Sequence, residues 1–366
     1  MATDKAQGLP ERVLLEDVPY IGFDAQRTGG LEGFPFPAAM RATMQFLGED
    51  PGYDYDFHAG TSGAAFGLVW HTTRWFYSGD LSDLAVSTGW SEPIRRAFDA
   101  VGYTCEVIPM ADGPENEALF RQRVIECIHG QGRPLLASGV VGPPCCTLVT
   151  GYDEGGDILV GWSYFQAMPG HGPAAEFEPT GQFRKRAWHP DTWAPIAIGD
   201  KREPPPLAQA YRQALQWAVE VVRTPRVLDR HAGLPAYIAW SEDLLRDEDF
   251  PEEDPGVLME RLDCHFGAAS VTAEGRMLAA RFVRRVAEHE PAMAGPLERA
   301  AACYDAISEL MMRVFELQGG FDPHDERIAR TLAKPGVRRQ MVPLIREARD
   351  RDAEAVECIE QALARA

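Results

Sequence analysis

Apolar residues recur along the chain with two different spacings, and the change between them falls near residue 203. Before it, short runs of alternating apolar and polar residues are interrupted by glycine and proline, which predicts strands mixed with helices. After it, apolar residues recur every three or four positions, which predicts an antiparallel bundle of roughly five to seven helices. Three consecutive prolines at 204–206 can continue neither a helix nor a central strand. We therefore place a domain boundary between residues 1–203 and 204–366.

The first half predicts an α+β domain in which helices pack on a small antiparallel sheet. Pro35 and Pro37 suit the first turn of a helix, and Ser91 suits an N-cap. Residues 133–162 predict three short strands, joined by a Pro-Pro entry and a glycine-rich hairpin turn. Residues 103–110 predict a further strand. The predicted helices span residues 34–48, 60–70, 91–102 and 115–132, the last with Leu119, Val124, Ile125 and Ile128 facing inward.

The charge and the cysteine content restrict the class of protein. The 366 residues carry a formal charge of −19, which disfavours nucleic acids and anionic membranes and is compatible with cationic or neutral small molecules. The chain has no run of the roughly 20 apolar residues that a membrane helix needs, and its N-terminus lacks the apolar core of a signal peptide. Seven cysteines without metal-ligand spacing predict reduced thiols, a cytoplasmic protein, no metal site and no cofactor.

Adjacent cysteines open the second predicted strand of residues 133–162. Cys145 and Cys146 point to opposite faces of a regular strand, so only one of them can face a cleft. A nucleophilic thiol needs a nearby cation or helix N-terminus, whereas free cysteine is also among the most commonly buried residues. We favour two small core residues, with a catalytic thiol as the alternative. His71, which follows Trp70 after an apolar run, is the first candidate base, and His171 in a glycine-proline loop is the second.

Two further places are candidates for substrate binding. The backbone N–H groups of Gly60, Ser62 and Gly63 can bind an anion or a carbonyl oxygen at a glycine-rich helix entry. A serine N-cap followed by tight glycine packing explains the same residues without a ligand. Asp153 lies just beyond the second strand, and Trp162 lies near the end of the third.

The stretch from residue 115 to residue 166 resembles papain-like domains, namely those of bacteriocin-leader peptidases and the N-terminal domain of butirosin biosynthesis protein H. The shared features are a helix, a strand with a proline entry, a strand leading into Gly-Tyr-Asp at 151–153, and a further strand. The likeness spans about residues 15–200, and the later helices are similar to the companion domain of butirosin-H-like proteins. The resemblance implies a papain-like fold and, in active members, thiol-mediated acyl transfer or hydrolysis.

The chain departs from this family at every catalytic position. Where the family has its nucleophile, at the start of the first core helix, this chain has Ala38 and Ala39. The expected histidine falls on Cys145, and the residue that orients it falls near Gly161 and Trp162. Thiol chemistry needs a thiol and a base within hydrogen-bond reach, so the family's catalytic residues are not carried over.

Three functional hypotheses follow. In the first, a pseudoenzyme binds a small molecule or a carrier-bound acyl or peptidyl group, as a component of a biosynthetic pathway. In the second, an acyltransferase or hydrolase uses Cys145 or Cys146 as nucleophile, His71 as base and the backbone of residues 60–63 as oxyanion site. In the third, a scaffold associates through its helical bundle, for example as a homodimer.

Overall fold

The structure is a computed structural model that describes residues 9–71, 75, 84, 86, 89–111, 113–168 and 175–365. Within these ranges the strands are β1 Val13–Leu14, β2 Val69–Trp70, β3 Tyr103–Val107, β4 Leu135–Gly139, β5 Cys146–Asp153, β6 Ile158–Trp162, β7 Ala175–Phe177, β8 Phe183–Arg186, β9 Thr192–Lys201, β10 Arg226–Val227 and β11 Arg230–Ala232. The α-helices are α1 Ala25–Thr28, α2 Pro35–Phe46, α3 Tyr55–Ser62, α4 Glu92–Ala100, α5 Pro114–Ile125, α6 Leu207–Arg223, α7 Gly233–Asp243, α8 Pro255–His289, α9 Ala294–Gln318, α10 Glu326–Leu332 and α11 Pro335–Leu363.

The chain forms two compact units, each built from two segments. The first unit comprises residues 1–55 and 102–203, and the second comprises residues 56–101 and 204–366. The end of the first unit coincides with the boundary predicted from the three prolines. Residues 56–101, which the sequence assigns to the first domain, group with the helical segment instead.

An antiparallel sheet forms the centre of the first unit. Its strand order is β3-β9-β4-β5-β6-β8-β7, and β1 pairs with β5. The three strands predicted within residues 133–162 are confirmed as the neighbours β4, β5 and β6. Cys146 is the first residue of β5 and lies opposite Ser138, while Cys145 immediately precedes the strand.

Both faces of this sheet are buried. On one face, Leu135, Ala137 and Val149 pack with Phe120 and Val124 of α5. On the other face, the alternate residues Leu136, Leu148 and Ile196 are also fully buried. The helix predicted at 115–132 is observed as α5, which ends at Ile125, and a π-helical turn follows over Glu126–Gly130. Val124 and Ile128 are buried as predicted, but Ile125 is only partly buried and Leu119 is 37% exposed and does not face inward.

Helix α2 packs against strand β5 within the first unit. It starts at Pro35 as predicted, because proline at the first helical positions loses no hydrogen bond there. Ala38 and Ala39, in the first turns of α2, have no solvent exposure. The start of this helix is therefore part of the core.

The second unit is largely helical, as predicted for the C-terminal half. Helix α9 packs against both α8 and α11. The apolar spacing predicts two helical segments at 254–271 and 272–289, but α8 runs through both as one helix of 35 residues. A small antiparallel sheet of order β10-β11-β2 belongs to the same unit. The prediction that a helix begins at Gly60 is wrong, because α3 ends at Ser62 and a short 3-10 turn follows at Ala64–Phe66.

A buried arginine joins the two segments of the second unit. The guanidinium of Arg276 on α8 donates hydrogen bonds to the carbonyl oxygens of Ala65 and Gly67, at 3.0 Å and 3.2 Å. Its charge is matched by Asp352 on α11, 2.6 Å away, and neither side chain is exposed. These contacts explain why residues 56–101 group with the helices and not with the sheet.

Candidate functional site

The three positions that the resemblance assigns to a catalytic triad lie in the first unit and are occupied by buried side chains. Ala38 is 0%, Cys145 4% and Trp162 3% exposed. Trp162 ends β6, where its partner on β5 is Leu148. Alanine and tryptophan cannot act as nucleophile or orienting carboxylate, so this region has no conventional Cys-His-Asp arrangement.

The environments of the paired cysteines resemble those of core residues. The backbone N–H of Cys145 donates to the Pro143 carbonyl oxygen at 2.6 Å, and its carbonyl oxygen accepts from Gly139. Cys146 is 1% exposed. None of the seven cysteines, all of which lie in the described ranges, forms a disulfide bond. These observations agree with the interpretation of Cys145 and Cys146 as small packing residues on a buried strand.

Asp153 lies at the opposite end of β5 from Cys146. The two residues are seven positions apart along an extended strand, which corresponds to roughly 23 Å. The carboxylate of Asp153 accepts hydrogen bonds from Arg184 at 2.8 Å and from Arg12 at 2.9 Å, and the Arg184 hydrogen bond holds its pKa below the ordinary value. Asp153 therefore anchors the hairpin, and it does not share a site with the cysteines.

The predicted substrate-binding residues 60–63 belong to the second unit and are explained by packing. A Cβ atom at Gly60 would overlap the ring of Phe282, and one at Gly63 would overlap the indole of Trp217. Gly63 also has a φ of +90°, which favours glycine. The hydroxyl of Ser62 is fully buried and accepts from the Ala64 N–H at 3.3 Å. Tight packing, the alternative explanation, accounts for all three residues.

Thr61, which follows Gly60, lines a small pocket. Thr61, Arg96 and Gln213 contribute to a space of about 200 Å³ between α4 and α6, together with the carboxylate residues Glu92 and Asp99. The guanidinium of Arg96 lies 4.1 Å from the ring centroid of Trp217. This volume is below the range typical of drug-sized ligands, so the pocket suits at most a very small molecule.

His71 lies beside a carboxylate in the second unit. Its Nε2 is 3.4 Å from Oδ2 of Asp243, and the same oxygen accepts a hydrogen bond of 2.8 Å from Nε1 of Trp70. Burial, assisted by the positive charge of Arg261, lowers the pKa of His71 to about 4. Burial also raises the pKa of Asp243. At neutral pH the imidazole is therefore uncharged, as a general base must be.

Aromatic rings surround the His71–Asp243 pair. Trp70 stacks on Trp240, with ring centroids 5.8 Å apart, and meets Trp75 edge-on at 5.3 Å. The indole N–H of Trp75 donates to Asp249 at 3.0 Å. The sequence identifies His71, but Asp243 and Trp240 are 170 residues away and no local pattern indicates them.

The predicted residues thus fall into two separate groups. Cys145, Cys146, Asp153 and Trp162 belong to the first unit, and Gly60, Ser62, Gly63 and His71 belong to the second. The predicted pairing of a cysteine with His71 is not a feature of either unit. His171 lies outside the described residues.

An arginine covers the ring of Trp162 in the first unit, and sequence reasoning missed it. The guanidinium carbon of Arg27 lies 3.8 Å from the ring centroid of Tyr20 and 4.8 Å from that of Trp162. Tyr20 and Trp162 meet edge-on at 5.1 Å. Arg27 and Trp162 are far apart in the chain, so only the fold brings them together.

Within the described ranges, no three His, Cys, Asp or Glu side chains are grouped as a metal site requires. In the same part of the chain, none of the helices combines the length and apolar composition needed to cross a bilayer. The chain matches no protein-family model. No curated protein matches it closely enough to count as a relative.

Proposed function

We propose that this protein is a papain-like scaffold without papain chemistry, and that it binds a small molecule or a carrier-bound acyl or peptidyl group. The observation that supports this proposal is the burial of Ala38, Cys145 and Trp162, which occupy the three positions that the resemblance assigns to the triad. A pseudoenzyme that retains its scaffold needs no exposed thiol, and the one thiol at these positions, that of Cys145, is buried.

The architecture of the first unit supports the papain-like part of the proposal. A helix that starts with prolines packs against β5, the strand on which the family carries its histidine. The next strand, β6, pairs with it and ends at Trp162. Papain-like enzymes build their site from a helix start and from the ends of neighbouring strands. In the proposed scaffold these elements are kept, and their catalytic side chains are replaced.

Thiol labelling tests the loss of chemistry. Cys105 is partly exposed, whereas Cys145 and Cys146 are buried. We expect iodoacetamide to modify Cys105 first in the native protein and the pair only after unfolding, as mass spectrometry of tryptic peptides would reveal. The double variant Cys145→Ala/Cys146→Ala should bind ligands as the wild type does, with Cys105→Ala as the matched control. Rapid native labelling of Cys145 or Cys146 would contradict the proposal.

Ligand binding is tested with a thioester probe. An acyl-N-acetylcysteamine thioester imitates a carrier-bound acyl group. Free acyl amino acids imitate a small-molecule ligand that is not attached to a carrier. We expect at least one of these probes to raise the melting temperature without being consumed. Turnover of the thioester, or the absence of stabilisation across the whole panel, would count against a binding function.

The His71–Asp243 pair favours a second candidate function, a hydrolase in which His71 activates water. A neutral histidine next to a carboxylate is a common arrangement for a general base. In that case the thioester is hydrolysed, and His71→Gln abolishes the reaction while the buried control His265→Gln in the same unit retains it. Equal rates in the two variants would exclude this candidate.

A further inference from the structure

The side chains of Tyr20, Arg27 and Trp162 form a cluster at one end of the sheet, which we call the arginine–aromatic cluster. We propose that this cluster binds the carboxylate of an acyl amino acid or peptide. The inference rests on the proposed function, because it names the chemical group by which the proposed ligand is recognised.

The guanidinium of Arg27 lies beside two aromatic rings that meet edge-on, and among the described residues its N–H groups donate no hydrogen bond. It lies over Tyr20 at 3.8 Å and over Trp162 at 4.8 Å from the ring centroids. Stacking on aromatic rings fixes the plane of a guanidinium, while its N–H donors remain in that plane. A carboxylate approaching in the plane can accept two parallel hydrogen bonds.

Arg27 has no internal counter-ion among the residues that the structure describes. Asp24, three residues earlier, caps α1 by accepting from the Gln26 N–H. Glu32 pairs with Arg41 at 2.7 Å. In a chain with a formal charge of −19, an arginine that is exposed and left without a carboxylate is available to an external anion.

Within the described ranges, the indole N–H of Trp162 is a second donor without a partner. Its side chain is almost fully buried, and its Nε1 has no hydrogen-bond partner in the described part of the chain. Buried donors are normally paired, because an unpaired one loses its hydrogen bonds to water. Because Nε1 has almost no exposed surface, its N–H meets a ligand oxygen only if binding moves the neighbouring side chains.

Two glycines with positive φ shape the cluster. Gly22 has a φ of +150°, and a Cβ atom there would overlap the ring of Tyr20. Gly181 has a φ of +92°, and a Cβ atom there would lie 3.7 Å from Trp162 and 4.0 Å from Arg27. The backbone is thus arranged around these rings in a conformation that favours glycine.

The single cation favours a carboxylate over a phosphate. One guanidinium matches the charge of a carboxylate, whereas a phosphate dianion needs more positive charge in so acidic a protein. An apolar neighbour lies at the same end of the sheet, since Phe23 is 47% exposed and packs edge-on against Tyr164. An acyl amino acid presents a carboxylate together with an apolar group, which fits both features.

N-acetylphenylalanine is the probe, and uncharged N-acetylphenylalaninamide and inorganic phosphate are the comparisons. The NMR signal of the Trp162 indole N–H, assigned with Trp162→Phe, reports binding at the cluster. We expect the carboxylate probe to shift this signal and the amide to leave it unchanged. Arg27→Gln should weaken binding by about tenfold or more. Arg27→Lys keeps the charge but loses the paired donors, so it should weaken binding to an intermediate degree.

Arg202→Gln is the matched control, because Arg202 is an exposed arginine of the same unit outside the cluster. It should bind the probe as the wild type does. Equal affinity in Arg27→Gln, equal binding of the amide, tighter binding of phosphate, or an unmoved Trp162 signal would each overturn the inference. If acyl probes stabilise the protein while Arg27→Gln binds them normally, the binding function stands and only this site is wrong.

Discussion

Arg276 and Asp352 form an ion pair of 2.6 Å in which neither side chain reaches solvent. Tyr237 donates a hydrogen bond of 3.0 Å to the same carboxylate. Arg276 also holds two backbone carbonyl groups of the segment that follows α3. One buried pair therefore ties two helices of the second unit to a segment more than 200 residues away in the chain.

Removing one partner of this pair should destabilise the protein strongly. Arg276→Met leaves the carboxylate of Asp352 buried without its cation, which costs about 3–5 kcal/mol. Urea denaturation should show a lower midpoint with an unchanged slope. The double variant Arg276→Met/Asp352→Leu should be less destabilised than the single one, because no unpaired charge remains.

Arg223→Met is the control for this prediction. Arg223 pairs with Glu360 at 2.6 Å, but both side chains are about half exposed. Its removal should cost at most about 1 kcal/mol. Equal losses in Arg223→Met and Arg276→Met would show that burial does not determine the strength of the Arg276 contact.

Mild acid should destabilise the second unit through its buried histidines. Burial lowers the pKa of His71 to about 4 and that of His265 to about 3, below the ordinary value of 6.5. The unfolded chain therefore binds protons below pH 6.5 that the folded chain does not bind. The contribution of these histidines to the free energy of unfolding is therefore greatest above pH 6.5 and decreases as the pH falls. At about pH 5 the decrease amounts to up to about 2 kcal/mol per histidine.

Urea denaturation at about pH 7.5 and about pH 5 measures this loss. His265→Gln should reduce the difference between the two pH values, whereas His324→Gln, a change of an exposed histidine, should not. An identical pH dependence in the wild type and His265→Gln would refute the assignment.

Gly60 should not tolerate a side chain. In Gly60→Ala the new methyl group overlaps the ring of Phe282, so we expect a loss of about 1–3 kcal/mol. Phe282→Leu in the same chain should recover part of that loss. Gly336→Ala is the control, because it lies in α11 with open space around its Cα, and it should be neutral or slightly stabilising. Thermal unfolding of these three variants and the wild type tests the prediction.

A cysteine introduced at residue 38, where the proposed papain-like alignment expects the nucleophile, should remain inert. Ala38 has no exposure, so the thiol of Ala38→Cys would be buried and its thiolate disfavoured. Burial already raises the pKa of Cys127 to about 11 in the same unit. Native iodoacetamide labelling should modify Cys105 well before residue 38. Fast modification of residue 38 would indicate that the start of α2 opens to solvent.

Much of the fold was predictable because its signals are local. Pro35 marks the start of α2, and the turn after Asp153 separates two strands that pair with each other. Helix α8 continues across the predicted boundary between residues 271 and 272, because buried residues on both sides of it pack in the second unit.

The candidate sites were less predictable. His71 stands out in the sequence, yet its partner Asp243 comes from a distant helix. Trp162 was identified from its strand position, but the arginine that covers it comes from a four-residue helix near the N-terminus. The Gly-Thr-Ser-Gly motif is compatible with either ligand binding or packing, and the rings of Phe282 and Trp217 favour packing.

The amino-acid order by itself determined most helix and strand positions and the helical character of the second half, and it placed Ala38 and Cys145 where the resemblance expects a nucleophile and a histidine. These properties depend on spacing, on proline and glycine, and on residue identity at single positions. Tertiary structure alone decided that residues 56–101 join the helices, that Arg276 meets Asp352 and that Arg27 covers Trp162. Each of these depends on burial and contact between residues far apart in the chain, and no local pattern records which distant side chains will meet.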